Sequence, residues 1–291
     1  LRGQVVREPA DLRGFLRDEI RAAACFELGD GVLALLDQLV DDREDLGVVE
    51  PSTPGGAAAR WVATGRDGGV SRGRFASANL ATHVGDDPVA VARNRELLAA
   101  TIATHDLAVL SAEHGAQVVI VGRAGSAAPA DAMITDRPGL ALAALAADCA
   151  TIALIGDDDR SIGVVHCGWR GLALGVVGAA VEALNVRGVG VLAAVVGPAV
   201  CGQCYPVPAD RVEQVRRTTS PEVADAAIVV RADGQPGIDV GSGVVMALRE
   251  VAPAALVTRS PRCTVEDRSL FSHRRDGVTG RHALVVVREV A

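Results

Sequence analysis

From Gly139 to Gly156 the chain reads GLALAALAADCATIALIG, an almost unbroken apolar run with one Asp and one Cys near its middle. A run of that length either crosses a membrane or is buried on every side inside a globular core. Asp148 decides between them, because a carboxylate at the centre of a spanning helix costs about 3 kcal/mol. No basic flank follows it either. The stretch is therefore read as buried structure. Its second half and the next apolar run, IGVVHC, read as strands separated by a turn at 156–161. Apolar runs without alternation are what strands covered on both faces require.

The rest of the chain alternates in kind. RWVATG and HALVVVREV read as strands near the two ends of the region from residue 60 onward, and GVLAAVVGPAV as another. DDPVAVARNRELLAATIATH reads as a helix with Asp87 as N-cap and Pro88 at its first position. RGLALGVVGAAVEALNV has Leu, Val and Ala at helical spacing and reads as one helix. Further helices are expected near 207–217 and 240–251. LAVLSAEHGAQVVIVG reads as two short strands around His114 and Gly115. Before this region, 11–25 and 31–42 have the pattern of amphipathic acidic helices. DDREDLGVVEPSTPGGAAA then reads as a linker, since charge, Pro and Gly cluster without apolar periodicity. The economical reading is an N-terminal extension, 1–56, followed by one mixed α/β (α+β) domain, 57–291.

A net charge of -7 and a pI near 5.4 argue against a general nucleic-acid binder, which needs a basic surface. The first twenty residues carry charges where a secretory leader would have an apolar region, so a cytoplasmic location with no membrane partner is expected. Six scattered cysteines (25, 149, 167, 201, 204 and 263) do not form a disulfide framework in a chain this long, and read as buried thiols, ligands or nucleophiles.

His114, Cys149 and His166 are the candidates for a metal. Each sits at the end of an apolar segment, where a strand delivers a side chain to a sheet edge. Two imidazoles and a thiolate suit a borderline-soft ion such as zinc, and three ligands leave a position open for catalysis. The bland reading is a buried thiol and two satisfied histidines. Asp148 is a candidate to orient a ligand or substrate or to act as general base, and equally a carboxylate satisfied by backbone N–H groups. In HCGWRGLALG, Gly168 and Gly171 allow close backbone approach, and Arg170 sits at a helix N-terminus suited to an anion. A tight strand-to-helix turn with Arg170 on the surface explains the same residues. CGQCY is formally C-x-x-C but lacks a second such pair, and its Pro-rich surroundings do not match a redox motif. Cys167 should point into packing on the opposite strand face. His83, His105 and His282 stand among polar residues and receive no role.

Taken together, TGRDGGVS, ASANLATHVGDDPVAVARNR, EHGAQVV, ADC, VVHCGWRG, GPAVCGQCY and CTVEDRSLFSHRRDGVTGR make the chain resemble the YfiH or laccase-domain family, also called peptidoglycan editing factors. The resemblance covers roughly residues 60 to 290. It implies a YfiH-like domain of mixed sheets flanked by helices, with zinc on His114, Cys149 and His166. It also implies phosphorolysis of purine nucleosides (adenosine, inosine, methylthioadenosine) to base and ribose 1-phosphate, together with adenosine deamination. Purine nucleoside and phosphate would be the partners. Cys149, Asp148 and Arg170 would be catalytic, and Arg66, Arg170, Gly168 and Gly171 would bind substrate or phosphate, with Arg275 and Arg281 behind them. A second reading is a hydrolase or editing enzyme for cell-wall precursors, with Cys149 as nucleophile and His166 as base. A copper-dependent phenol oxidase comes third, because six histidines in the whole chain cannot furnish a blue-copper site and a coupled cluster. Two departures stand beside the ligands. AEHG puts Ala112 and Glu113 before His114 where the family has Q-V, and Cys167 replaces the Ala of H-A-G-W-R-G.

Overall fold

The computed structural model describes residues 58–290 apart from 103 and 105, and the backbone of 46–49. The expected helical pieces at 11–25 and 31–42, with Cys25 and His105, lie outside the described residues.

Two six-stranded sheets pack face to face. The first runs β1 (Leu46–Val49), β2 (Ala59–Ala63), β14 (His282–Arg288), β7 (Leu140–Ala146), β3 (Asp106–Ser111), β5 (Gly125–Pro129). The second runs β13 (Leu256–Arg259), β10 (Val191–Val196), β8 (Ala150–Gly156), β9 (Ile162–Cys167), β6 (Ala132–Thr135), β4 (Val118–Ile120). Both are mixed: β7 pairs antiparallel with β14 and parallel with β3, and β10 pairs antiparallel with β8 and parallel with β13. A short hairpin, β11 (Ile228–Val230) and β12 (Pro236–Ile238), stands apart from them. β1 lies within the stretch read as a linker; its four residues pair antiparallel with β2 as an edge strand.

The core between the sheets is built by Leu140, Leu142, Ala144, Leu284 and Val286 from one side and Ile155, Ile162, Val164 and Val195 from the other. The alternate residues, Ala141, Ala143, Ala283 and Val285, pack outward against Leu98 and Ile102 around helix α1 (Pro88–Thr101). On the far side, Ile152, Leu154 and Val165 lie under Val177, Val181 and Leu184 of α3 (Val176–Asn185) and Leu248 of α6 (Val240–Val251). Strands covered on both faces have no place for polar alternation, hence the continuous apolar runs. Cutting Leu142, fully buried, to Ala would cost about 2–5 kcal/mol.

α1 starts as read: the Val89 N–H donates to the Asp87 carboxylate and Pro88 opens the helix. The single helix expected over 170–186 is instead two, α2 (Trp169–Ala173) and α3, broken at Gly175. Gly175 has φ +77, a left-handed backbone that favours glycine, and the chain turns there. The expected helices near 207–217 and 240–251 are α4 (Ala209–Thr218) and α6, and α5 (Pro221–Ala227) and α7 (His273–Asp276) are additional. Among the described residues no helix is long and apolar enough to cross a membrane.

The opening apolar run resolves into β7 of one sheet and β8 of the other. The chain crosses between sheets at 147–149, with Asp148 at φ +105, and so brings Cys149 to their shared edge.

Candidate metal centre

His114 lies in the turn between β3 and β4, Cys149 immediately precedes β8, and His166 is the second-last residue of β9. Three separate segments thus converge. Cys149 Sγ is 3.9 Å from His114 Nε2, and the rings of His114 and His166 meet edge to face with centroids 4.8 Å apart. The three ligand atoms all lie within 4.8 Å of one another.

Asp131, which the sequence reading missed, organises this meeting. It precedes β6 and is 1% exposed. Its carboxylate accepts the backbone N–H groups of His114 (2.8 Å) and Gly115 (2.6 Å), which holds His114 at φ +60. The same carboxylate lies 3.0 Å from His166 Nδ1. A carboxylate at Nδ1 makes that nitrogen the donor and leaves Nε2 as the ring's lone-pair atom, the usual way a ligand histidine is oriented. Burial pushes the Asp131 carboxyl up, but the His166 ring and the N–H donors outweigh it and hold it below its ordinary value.

Electrostatically the cluster is primed for a cation. Burial pushes the Cys149 thiol up, yet the His166 and His114 imidazoles bring it down to about 6. Burial opposes charge on His166, but Cys149 and Asp131 raise it to about 9. Without a metal the pair is a thiolate facing an imidazolium. A divalent ion would satisfy the same thiolate in place of the His166 proton. Two imidazole nitrogens, one thiolate and an oriented outer carboxylate fit zinc with one open position.

The cluster opens into a cavity of about 610 Å³, within the range of small-molecule sites. Trp169, Tyr205 and Val200 supply apolar wall, and His83, His273, Arg274 and Arg281 supply polar and cationic wall. Gly168 also lines it, and a Cβ there would stand 3.1 Å from Cys149 Sγ and 3.3 Å from His114 Cδ2. Gly168 is thus needed for ligand approach rather than for φ.

Several expected roles change. Asp148 lines the cavity, but its carboxylate already accepts three hydrogen bonds: Thr264 and Ser272 hydroxyls donate to Oδ1 (2.7 and 2.6 Å) and the Arg274 N–H to Oδ2 (2.7 Å). It ties the C-terminal segment to the sheet crossing, as the satisfied-carboxylate reading had it, with hydroxyls as two of the three donors. Arg170 is exposed and does not line the cavity, and α2 is only five residues long. Gly171 is buried, and a Cβ there would meet Val176 and the Gly115 carbonyl, so it serves packing. Arg66 also stays off the cavity; its guanidinium donates to Ala76 O, approaches Asp276 and lies over Phe271. Arg275 is spent on the carbonyls of Thr264, Asp267 and Leu270 and on Asp276. Of the arginines considered, Arg281 reaches the cavity, and Arg274, unconsidered, joins it.

His83, given no role, is on the wall, its pKa lowered by burial and by Arg281 and Arg95. His282 is not among polar residues but fully buried on β14, with neither ring nitrogen partnered. Glu113 is exposed and off the cavity. Cys167 is buried in the core facing the helices, as expected. For His83, the pattern THVGDD offered no periodic signal, whereas the RR after His273 could have drawn attention.

Comparison with known proteins converges on one family. A family model described as multi-copper polyphenol oxidoreductase laccase matches residues 60–289. A purine nucleoside phosphorylase of Mycobacterium tuberculosis is 39% identical over 239 residues, covering 78% of this chain and 91% of its own. Among solved structures, a Neisseria meningitidis protein superposes with a TM-score of 0.72 at 31% identity, covering 84% of this chain and 100% of that one. YlmD of Geobacillus stearothermophilus gives 0.70 at 31% identity, covering 81% and 93%. With every helix, the second sheet and the Cys–His cluster inside the matched region, the chain belongs to the multi-copper polyphenol oxidoreductase laccase family, the YfiH-type fold that its motifs resembled.

Proposed function

We propose that this protein is a zinc-dependent purine nucleoside phosphorylase that also deaminates adenosine. The observation that carries the reading is the His114–Cys149–His166 cluster on the floor of a cavity whose wall is both aromatic and cationic. The chain has one Tyr and two Trp in all, and Tyr205 and Trp169 both line this cavity. Flat apolar rings suit a purine. The relatives named purine nucleoside phosphorylase support the same substrate class.

Phosphorolysis requires a phosphate oxygen to attack the anomeric carbon as the bond to the purine nitrogen breaks, the electron pair leaving with the base. Arg274 and Arg281 hold the phosphate anion. His83, kept neutral by burial and the nearby arginines, exchanges a hydrogen bond with the base or sugar. Asp148 fixes the backbone of Arg274 and so aims that cation. Zinc held by His114, Cys149 and His166 would supply Lewis acidity, for polarising an electrophile or for lowering the pKa of water.

The test incubates metal-quantified wild-type and Cys149→Ala protein with inosine or adenosine, with and without phosphate, and separates the products by chromatography. Phosphate-dependent release of base, lost in the variant together with its zinc, is the expected result. Full zinc occupancy without turnover of any purine nucleoside overturns it. A second reading has its own observation: Asp131, His166 and Cys149 form a Cys–His–Asp series with a thiol already down at about 6. That series is a nucleophile with an oriented base, as a Cys–His hydrolase of cell-wall precursors needs. A metal-bound thiolate cannot attack, so metal-free protein with an alkylation-sensitive activity would select this reading.

A further inference from the structure

Cys201 and Cys204, which lacked a partner pair in sequence, meet one in space. The turn Cys201-Gly202-Gln203-Cys204 closes with the Cys204 N–H on Cys201 O (3.1 Å). A second turn, from Cys263 through Glu266 to Asp267, closes with the Asp267 N–H on Cys263 O (2.8 Å). A parallel bridge between Ala199 and Cys263 sets the two turns side by side. Each offers donors at i and i+3, and the four ligand atoms, three Sγ and one carboxylate oxygen, lie within 4.8 Å of one another. Cys204 Sγ is 3.4 Å from Glu266 Oε1, and the Cys201 N–H points at Cys263 Sγ from 3.4 Å. All four residues remain unbridged, the three cysteines free.

We propose that these residues form a second, structural zinc site of Cys3Glu type, separate from the cavity cluster. Two facing turns with i, i+3 donors are the arrangement of closed tetrahedral sites, in which four protein ligands leave no open position. The site would act as a clip. Val200 and Tyr205, flanking the first turn, line the cavity. Thr264, inside the second, donates to Asp148. An ion across the turns therefore joins two walls of the cavity next to Cys149. The inference stands independently of the reaction proposed above.

The test is zinc stoichiometry on the full chain, purified anaerobically with zinc and desalted. About two equivalents are expected in wild type, about one in Cys204→Ser and in Cys149→Ala, and none in the double variant. Cobalt substitution of Cys149→Ala should give thiolate-to-cobalt absorption that Cys204→Ser abolishes in the same background. Should Cys204→Ser not fold, Cys149→Ala carries the test by itself: one zinc with Cys201, Cys204 and Cys263 protected from alkylation supports the site. A wild-type protein whose zinc is unchanged by Cys204→Ser overturns the proposal, as does a Cys201–Cys204 disulfide in the anaerobic protein or a Cys149→Ala protein without zinc.

Discussion

Asp131→Asn isolates the outer carboxylate from the ligands it orients. The amide keeps the shape but replaces one anionic oxygen by an NH2 group. Asp131 now accepts on both sides, from His166 Nδ1 and the His114 N–H on Oδ1 and from the Gly115 N–H on Oδ2. Whichever way the amide sits, its NH2 faces a donor. If it faces His166, the imidazole relieves the clash only by moving its proton to Nε2, the atom that must bind metal. Loss of such an orienting partner typically weakens metal binding 10–100-fold, about 1.4–2.7 kcal/mol. One charge-assisted hydrogen bond lost in a buried setting adds about 1.5–3 kcal/mol of destabilisation to the metal-free protein.

Proton competition complicates the reading. His166 titrates at about 9 in the metal-free protein, partly because of Asp131. Near neutrality the Asn variant gives up less energy to deprotonate this ring, which offsets part of the loss. Zinc affinity is therefore measured by competition with a chromophoric chelator at pH 7 and again above pH 9, where the proton no longer competes. The loss should be larger at the higher pH. Stability is followed by urea denaturation after metal removal. If the variant loses stability but binds zinc as tightly as wild type above pH 9, Asp131 merely holds the His114 loop and ring orientation is not its role.

Gly168→Ala, at φ -84, has no backbone penalty, yet its Cβ crowds Cys149 and His114; zinc affinity should fall about tenfold while the melting temperature of the metal-free protein stays unchanged. Arg281→Ala should raise the phosphate KM about 100-fold, some 3 kcal/mol for an anion left without its partner, whereas Arg170→Ala should leave it unchanged. The opposite pattern would return the phosphate to the N-terminus of α2. His282 supplies a pH dependence: burial, with Arg262 and Arg281, lowers it to about 3 against 6.5 unfolded. Its contribution is complete above pH 6.5 and is lost as pH falls toward 3, at about 1.4 kcal/mol per unit. His282→Leu should flatten the difference in urea stability between pH 7 and pH 4, and an unchanged difference would refute it.

The convergence of His114, Cys149 and His166 was legible because each sits at the end of an apolar segment, where an imidazole or thiol needs a reason. Asp131 was not, since ADAMIT shows a short polar start to a buried strand and nothing in it announces that the carboxylate spans two ligand segments. The arginines misled for a related reason. Arg66 and Arg170 stand in glycine-bearing turns beside the motifs, which is where an anion site is sought, but direction is not in the pattern. α2 ends at Ala173 and turns Arg170 outward, while Arg274 reaches the cavity because Asp148 captures its backbone N–H. The pairing of Cys201 and Cys204 with Cys263 and Glu266 likewise depends on one long-range bridge at Ala199.

Asp148 and Cys149 interrupt the apolar run because the chain changes sheets there. β7 and β8 each need both faces covered, and a continuous strand cannot belong to two packed sheets. The crossing must leave the pleat, and Asp148 does so at φ +105, a conformation that needs outside support in a residue with a Cβ. Thr264, Ser272 and Arg274 give that support, so the strain at the crossing is tied to the segment that brings Arg274 to the cavity. Asp148→Ala would thus do more than delete a charge. It would free the crossing and the C-terminal wall together, lowering stability by about 2–6 kcal/mol for the two buried hydroxyls left unpaired. Asp148→Asn, which retains an acceptor for the two hydroxyls, should recover most of that stability in urea denaturation. If it also restores turnover, positioning is the whole role of Asp148; stability recovered without turnover would return it to the chemistry.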